Sequence, residues 1–391
     1  SAVELMDRTL INLASSSLTE FREAYSPQAE AVLLVEYEAE DEQSLKAEAQ
    51  QLCREMQNKA FKSECIYSSG RQQKLWDSRK EAVGLIARRR GKARPVPFIE
   101  DVYVRPQNMP QFISSLRQIG SQMEVDLSYY GHAGTGDLHI RPFLDLSDPD
   151  HVRKMQDLAD KVFKLCWSLG GAVSGEHGDG IVRAGFIKRQ YGEDCYNLLR
   201  RIKEIFDPSG ILNPGKIITD SACRVPADNL KASFRSQSNF SSDTLQFPEE
   251  AIEQELSRCS GCGLCVSTSS DLRMCPVFRA LGDELASSRA KVNLIRFWAG
   301  GGMDRDGFYS EKFRSVLDLC INCRACSLQC PSEVDVSRLI RAARAAWLSE
   351  NRLRVSEFIM SRNRFLGQIG CRLPAVANFV TRLRIFKRLL E

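Results

Sequence analysis

The chain has 391 residues, room for two or three domains with cores of their own. Its 54 lysines and arginines against 50 aspartates and glutamates leave a net charge of +4, too near balance to point to nucleic acid as a partner. The beginning carries no secretory pattern, and no apolar run approaches the roughly 20 residues a membrane-spanning helix needs, so a cytoplasmic protein is expected.

From about residue 30, short β-rich runs alternate with helical ones. "AVLLVEYEA" reads as a strand, "DEQSLKAEAQQLCREMQ" as a helix, "FKSECIYSS" as a strand and "QKLWDSRKEAVGLIARRR" as a long helix. A second round follows: "FIEDVYVRP", the helix "QNMPQFISSLRQIGSQM", the strand "EVDLSYY", its hairpin partner "DLHIRPFLD", and the helix "DPDHVRKMQDLADKVFKLCWSLGG". That last helix should start at a Ser147/Asp148 cap, with Pro149 in its first turn, and stop at Gly170-Gly171. Two such rounds predict an α+β domain over residues 1–220, its sheet largely antiparallel and its helices on one face. Residues 221–248, rich in Ser, Asn and Asp and without a period, read as a linker. Residues 249–350 show helical patterns broken by cysteine motifs and predict an all-α domain with loops. Residues 351–391 form a basic helical tail.

Fourteen cysteines without a secretory signal argue for metal or cofactor ligation. Six of them (Cys53, Cys65, Cys166, Cys195, Cys223 and Cys371) are scattered and read as small buried apolar residues. The other eight form two runs. "CINCRACSLQCP" gives Cys320, Cys323, Cys326 and Cys330 before a proline, the C-x2-C-x2-C-x3-C-P run of bacterial-type iron–sulfur ligation. "CSGCGLCVSTSSDLRMCP" gives Cys259, Cys262, Cys265 and, after a longer spacer, Cys275. In two-cluster ferredoxins the fourth cysteine of each run ligates the other cluster. That exchange predicts one 4Fe-4S cluster on Cys259, Cys262, Cys265 and Cys330, and a second on Cys320, Cys323, Cys326 and Cys275. Zinc sites usually set two C-x2-C pairs well apart instead. Two neighbouring cubanes make a relay for single electrons.

"YYGHAGTGDLHIRP" holds two of the four histidines of the chain around a glycine-rich turn. With the strands paired about a centre between His132 and His139, the two imidazoles would lie side by side on one face, as half of a divalent metal site. A hydrogen-bonded histidine beside a tight turn is the plainer alternative. "GGAVSGEHGDG" offers a carboxylate and a further imidazole. If its backbone is extended, neighbouring side chains point opposite ways, so Glu176 is assigned to the metal and His177 to proton transfer.

"GHAGTGDLHIRP", "SGEHGDGIVR" and "FDPSGILNPGKI", in that order and followed by paired cysteine runs, resemble the C-terminal half of the FAD-linked 2-hydroxy-acid dehydrogenases. This is the D-lactate, glycolate and D-2-hydroxyglutarate dehydrogenase group, in its large members with a fused helical ferredoxin domain. The resemblance implies a substrate (cap) domain, FAD, and a divalent metal, Zn or Mn, on His132, His139 and Glu176. It implies that His177 is the catalytic base, that Arg79 of "LWDSRKEA" binds the substrate carboxylate with its guanidinium fork, and that Asn213 of "NPGK" approaches the flavin. The implied reaction oxidises a D-2-hydroxy acid to the 2-oxo acid: hydride passes to FAD, and electrons run through the clusters to a quinone or carrier protein. Nothing between Ser1 and Asp101 reads as a pyrophosphate loop, so the FAD-binding domain is expected outside this sequence. The hydroxy acid itself stays unassigned.

The tail carries nine lysines and arginines against Glu357 and Glu391, with apolar residues at helical spacing. It suits packed, solvated helices, or peripheral contact with an anionic inner-membrane surface. Two rival functions follow from the same residues. One is a non-catalytic iron–sulfur subunit that docks a flavoprotein; the other is a metal-dependent hydrolase built on His132, His139 and Glu176.

Overall fold

The computed structural model describes residues 1–17, 28–86, 91–146, 148–219, 225 and 249–384. They form two compact units, the first of the described residues up to Val225 together with Pro331–Glu333, the second of the rest from Glu249 on. Of the expected linker 221–248, only Val225 is among the described residues. It is packed in the core of the first unit, its N–H donating to Gln156 Oε1 (3.0 Å) and its carbonyl accepting from Gln156 Nε2 (2.7 Å).

The first unit opens with a strand, β1 (Ala2–Asp7), where no strand is expected. Its sequence AVELMD has no apolar/polar alternation to mark it, and the strand ends at once in α1 (Arg8–Ser17), where Asp7 Oδ1 accepts the Leu10 N–H (2.9 Å). Then come β2 (Ala31–Glu36), α2 (Glu42–Met56) and α3 (Ser69–Ile86). Residues 61–68, expected as a strand, are irregular: they find no ladder partner, and Cys65 turns back onto α2 instead. The second round matches its pattern more closely, with β3 (Arg94–Pro95), β4 (Val102–Tyr103), α4 (Met109–Met123), β5 (Leu127–His132), β6 (Asp137–Leu144) and α5 (Pro149–Ser168). Asp148 caps α5 by accepting the Asp150 N–H (2.8 Å), and Gly170 takes a left-handed φ of 71° after its end. Ser147 lies outside the described residues. The helical run α6 (Ile187–Phe206) is broken at Gly192.

Six strands form one antiparallel sheet among the described residues, in the order β2-β1-β5-β6, with β3 and β4 both paired to β6. The helices are not confined to one face. Leu5, Tyr129, Leu138 and Ile140 join a large core under α4 and α5, built on Phe112, Leu116, Leu158, Val162 and Phe163. Their strand neighbours Met6, Tyr130 and Phe143 point the other way and pack with Leu10 and Ile11 of α1 and Ile86 of α3. Alternation of side chains along a strand makes both faces apolar, and both are therefore covered. On α3 the buried positions Leu75, Arg79 and Ile86 share one stripe, so Arg79 sits on the core-facing side of its helix.

The second unit is helical among its described residues. α7 (Glu249–Arg258), α8 (Ser288–Ala299), α9 (Glu311–Asp318), α10 (Ala325–Gln329) and α11 (Val336–Glu350) surround a core of Leu256, Ile295, Phe313, Leu317, Leu339 and Trp347. Trp298 stacks on Phe308 with ring centroids 3.5 Å apart. In the tail, α12 (Val355–Ser361), α13 (Asn363–Arg372) and α14 (Pro374–Arg382) bury no residue. No described helix is long and apolar enough to cross a membrane. Of the six scattered cysteines, only Cys166 is the buried residue expected; it donates to the Tyr103 and Ala172 carbonyls. Cys53 and Cys65 are half-buried because their hosts are a surface helix and loop, and Cys195 and Cys371 are exposed. Cys223 lies outside the described residues.

Truncating Phe112, fully buried between α4 and the sheet, should cost about 3–5 kcal/mol in urea unfolding followed by Trp167 fluorescence with Trp76, Trp298 and Trp347 replaced by Phe. Leu33→Ala on edge strand β2, where the side chain is half exposed, should change stability by less than about 0.5 kcal/mol.

Candidate active site and cluster loops

The β5–β6 ladder pairs Tyr130 with His139 and His132 with Asp137. The hairpin is closed by four residues, 133–136, with the Thr135 and Gly136 N–H groups donating to the His132 carbonyl (3.1 and 2.9 Å). Its centre therefore lies one position earlier than the sequence symmetry of the two histidines suggests. They are diagonal rather than opposed, but the shift is even in register, so both stay on one face, ring centroids 5.6 Å apart. The residue directly across from His132 is Asp137. Gly136, at φ 91°, is required for space as well as conformation: a Cβ there would lie 2.0 Å from the Val104 carbonyl oxygen.

β1 adds the next layer. Glu4 pairs across from His132, and its Oε1 lies 2.5 Å from His132 Nδ1. Its other oxygen accepts from Arg79 Nη2 (2.8 Å) in a buried ion pair. Although burial works against the charge, Glu4 holds His132 above the usual imidazole range. The contact also commits Nδ1 and leaves Nε2 free to meet a ligand, as an outer carboxylate does for metal-bound histidine. His139, buried and beside the His132, His177 and Arg141 charges, is pushed down to about 3 and stays neutral. Burial, with Asp101 and Glu176 nearby, pushes Asp137 up to about 7. Both Asp137 carboxylate oxygens are buried with no hydrogen-bond partner.

The 174–178 loop closes over this face. Asp101, wholly buried at a left-handed φ of 69°, accepts the N–H groups of Gly175 (3.0 Å), Glu176 (2.7 Å) and His177 (3.1 Å) and the Ser174 hydroxyl (2.6 Å). Those donors hold it below the usual carboxylate range against the effect of burial. Arg183 Nη1 lies 3.3 Å from it. Gly175 lets the loop approach: a Cβ there would stand 2.8 Å from Asp137 Oδ1. The loop is bent, not extended, so Glu176 and His177 point to the same place. Glu176 Oε1 lies 3.6 Å from His132 Nε2, 3.3 Å from His139 Nε2 and 3.2 Å from His177 Nε2.

His132, Asp137, His139 and Glu176 each bring a ligand atom within 4.8 Å of the others. Two neutral-capable imidazoles, an unpartnered buried carboxylate and a half-exposed one fit a divalent cation with room for a further ligand. His177, more than half exposed, stands at the rim. Arg79 is instead turned inward onto Glu4. Asn213 sits in an exposed turn at φ 47° that Asp207 braces through the Ile211 and Leu212 N–H groups. The sequence reading passes over Glu4, Asp101 and Asp137. Asp137 had a signal, a carboxylate inside the hairpin two residues before His139. Glu4 and Asp101 had none, because only pairing of distant strands brings them here.

In the second unit the two cysteine runs fold alike. Gly261 and Gly263, flanking Cys262, have φ of 76° and 79°; Asn322 and Arg324, flanking Cys323, have 60° and 63°. Arg296 donates to the Leu256 and Cys259 carbonyls, and Arg344 to the Leu317 and Cys320 carbonyls. In each run an arginine thus holds the first cysteine and the residue three before it. Left-handed residues on either side of a central cysteine wrap backbone N–H groups around a shared centre, a shape that suits a sulfur-rich anion. Burial holds Cys265 up at about 11 as a free thiol, and a metal would be needed to make it a thiolate.

Two family models match the chain: FAD linked oxidases, C-terminal domain, over residues 1–217, and a 4Fe-4S dicluster domain over residues 255–334. A D-2-hydroxyglutarate dehydrogenase of Pantoea ananatis is 28% identical over 97% of this chain and 41% of its own length. That of Escherichia coli K12 is 28% identical over 82% of this chain and 34% of its own. The glycolate oxidase subunit GlcD of the same strain is 26% identical over 55% of this chain and 42% of its own. The chain thus spans well under half the length of these relatives.

Because Asp137 binds its proton more tightly in the folded state, its carboxylate costs stability increasingly as pH rises from about 4 to about 7. In the metal-free chain, Asp137→Asn should therefore compare more favourably with the parent at pH 8 than at pH 4 in thermal unfolding. Asp101→Ala, which frees three loop N–H groups and leaves Arg183 without its anion, should cost about 3–5 kcal/mol and raise amide exchange at residues 174–178.

Proposed function

The chain belongs to the FAD-linked oxidases by their C-terminal domain, and on that premise we propose that its first unit is the substrate side of a flavin-dependent 2-hydroxy-acid dehydrogenase whose electrons leave through two 4Fe-4S clusters in the second. The observation that supports this most is the convergence of His132, Asp137, His139 and Glu176 on one sheet face with a third imidazole, His177, beside them. The names of the relatives, dehydrogenases of D-2-hydroxyglutarate and a glycolate oxidase subunit, point to a small 2-hydroxy acid.

A divalent ion on His132, His139, Glu176 and Asp137 would supply Lewis acidity at the substrate hydroxyl, FAD the hydride acceptor, and the clusters single-electron transfer. The residues of the chain do the rest. Glu4, neutralised by Arg79, fixes the ring of His132 so that Nε2 faces the substrate side. His139 stays neutral and able to donate a lone pair. His177, at the open rim, takes the hydroxyl proton. Arg79, expected to bind the substrate carboxylate, is read here as a positioning residue through Glu4. The cysteines would divide as Cys259, Cys262, Cys265 and Cys330 on one cluster and Cys320, Cys323, Cys326 and Cys275 on the other.

The flavin would come from outside the described residues. Leu198, Ile202, Ile205 and Phe206 on α6, with Ile211 and Leu212 before Asn213, make an exposed apolar surface where a flavin-bearing body would pack. The acceptor would be a quinone or a carrier protein.

Two measurements test the reading. With the flavin-bearing part of the protein present, D-2-hydroxy acids should bleach the flavin, and His177→Ala should slow bleaching about 10²- to 10⁴-fold; turnover without flavin would favour a hydrolase. Metal analysis of the anaerobically reconstituted chain should find about eight iron and one divalent ion, the latter lost in His139→Ala and weakened in Asp137→Asn. Full iron content in Cys330→Ser would contradict the exchange of fourth ligands.

A further inference from the structure

Two cysteines that the site does not use lie sulfur to sulfur. Cys53 on α2 and Cys65 in the irregular segment before α3 place their Sγ atoms 2.7 Å apart. That is nearer than nonbonded sulfurs rest, and just beyond the roughly 2.05 Å of a disulfide. Cys65 Sγ also donates to the Ala49 carbonyl (3.3 Å), one helical turn before Cys53, which keeps it against that face of α2. Both thiols are half-buried and open to a small reagent. Among the described residues no third His, Cys, Asp or Glu joins them in a metal-binding group, and neither belongs to the two cysteine runs.

We propose that Cys53 and Cys65 are a thiol-modification site that closes into an intrachain disulfide by exchange with a low-molecular-weight disulfide such as oxidised glutathione. One protein thiolate attacks a sulfur of the small disulfide, expelling one glutathione thiolate and leaving a mixed disulfide. The second protein thiolate then displaces the other glutathione. Two protein thiols are oxidised, one small disulfide is reduced to two thiols, and two electrons and two protons pass with them. Burial and the neighbouring sulfur hold Cys65 above the usual thiol range, so closure quickens as pH rises. The bond would tie down the segment carrying Lys59 and Lys62, both exposed, just before α3 begins at Ser69.

The test uses the whole chain, kept anaerobic, treated with excess oxidised glutathione, alkylated, and digested for mass spectrometry. The Cys53 and Cys65 peptides should be recovered joined, two hydrogens lighter and free of glutathione. The exposed lone residues Cys195 and Cys371 should carry glutathione as internal controls. In Cys53→Ser, Cys65 should hold the mixed disulfide, and in Cys65→Ser, Cys53 should. Trypsin should cut after Lys59 and Lys62 several-fold more slowly in the oxidised parent than in either variant. Recovery of both residues as alkylated thiols, or each with its own glutathione, while Cys195 and Cys371 react, would overturn the proposal. The wild-type measurement needs no variant to fold, and its outcome is independent of the flavin reading.

Discussion

Because the β5–β6 ladder sets His132 across from Asp137 and Tyr130 across from His139, the ionisable groups of the hairpin are forced onto a single face of the sheet. β1 then lies alongside with Glu4 across from His132, and β4 follows Glu100 and Asp101 against the far side of β6. Shifting this pairing by one residue would turn one of the two histidines away from the other, into the apolar core under α4 and α5. The close-packed glycines follow from the same constraint. Gly136 passes under the Val104 carbonyl, and Gly175 lets the upper loop settle on Asp137. The electrostatics follow too. The site gathers carboxylates faster than it supplies hydrogen-bond donors, so Asp137 is left without a partner while Asp101, a short distance away, has several.

Asp101 and Asp137 show how one residue type acquires opposite characters. Asp101 receives three backbone N–H groups and a hydroxyl and remains charged while wholly buried. Asp137 is buried with none of these and leans toward its protonated form. The first behaves as a peg that holds a loop, the second as a donor awaiting an acceptor. The Arg79–Glu4–His132 line resembles the peg: Arg79 and Glu4 are buried as an ion pair, and Glu4 meets Nδ1 of the partly exposed His132. The Arg79 guanidinium, on the core stripe of α3, is thereby buried against Glu4.

Much of this was legible in the sequence, and what was not has a physical reason. The second round of strands and helices showed because α4 and α5 carry long apolar periods and clear stops. The cysteine runs showed because their spacing is itself a sequence pattern, which the dicluster domain model also matches. His132, His139, Glu176 and His177 stood out by rarity and by their glycines, and the structure brings all four together. The hairpin centre was misplaced because two histidines are not a register; the four-residue turn is. β1 was missed because AVELMD does not alternate, and with it went Glu4, so the buried ion partner of Arg79 could not be read from α3 alone. The extended backbone assumed at 174–178 failed because Asp101, remote in sequence, folds that loop inward.

The two cysteine loops are alike in shape but not in ease. Left-handed backbone costs an L residue roughly 1–2 kcal/mol, less for Asn, and costs glycine almost nothing. The Cys259 loop spends glycines on its two left-handed positions, whereas the Cys320 loop spends Asn322 and Arg324. The same wrap is therefore held almost without strain in the first loop and under strain in the second, where contacts such as those of Arg344 to the Leu317 and Cys320 carbonyls have to hold it.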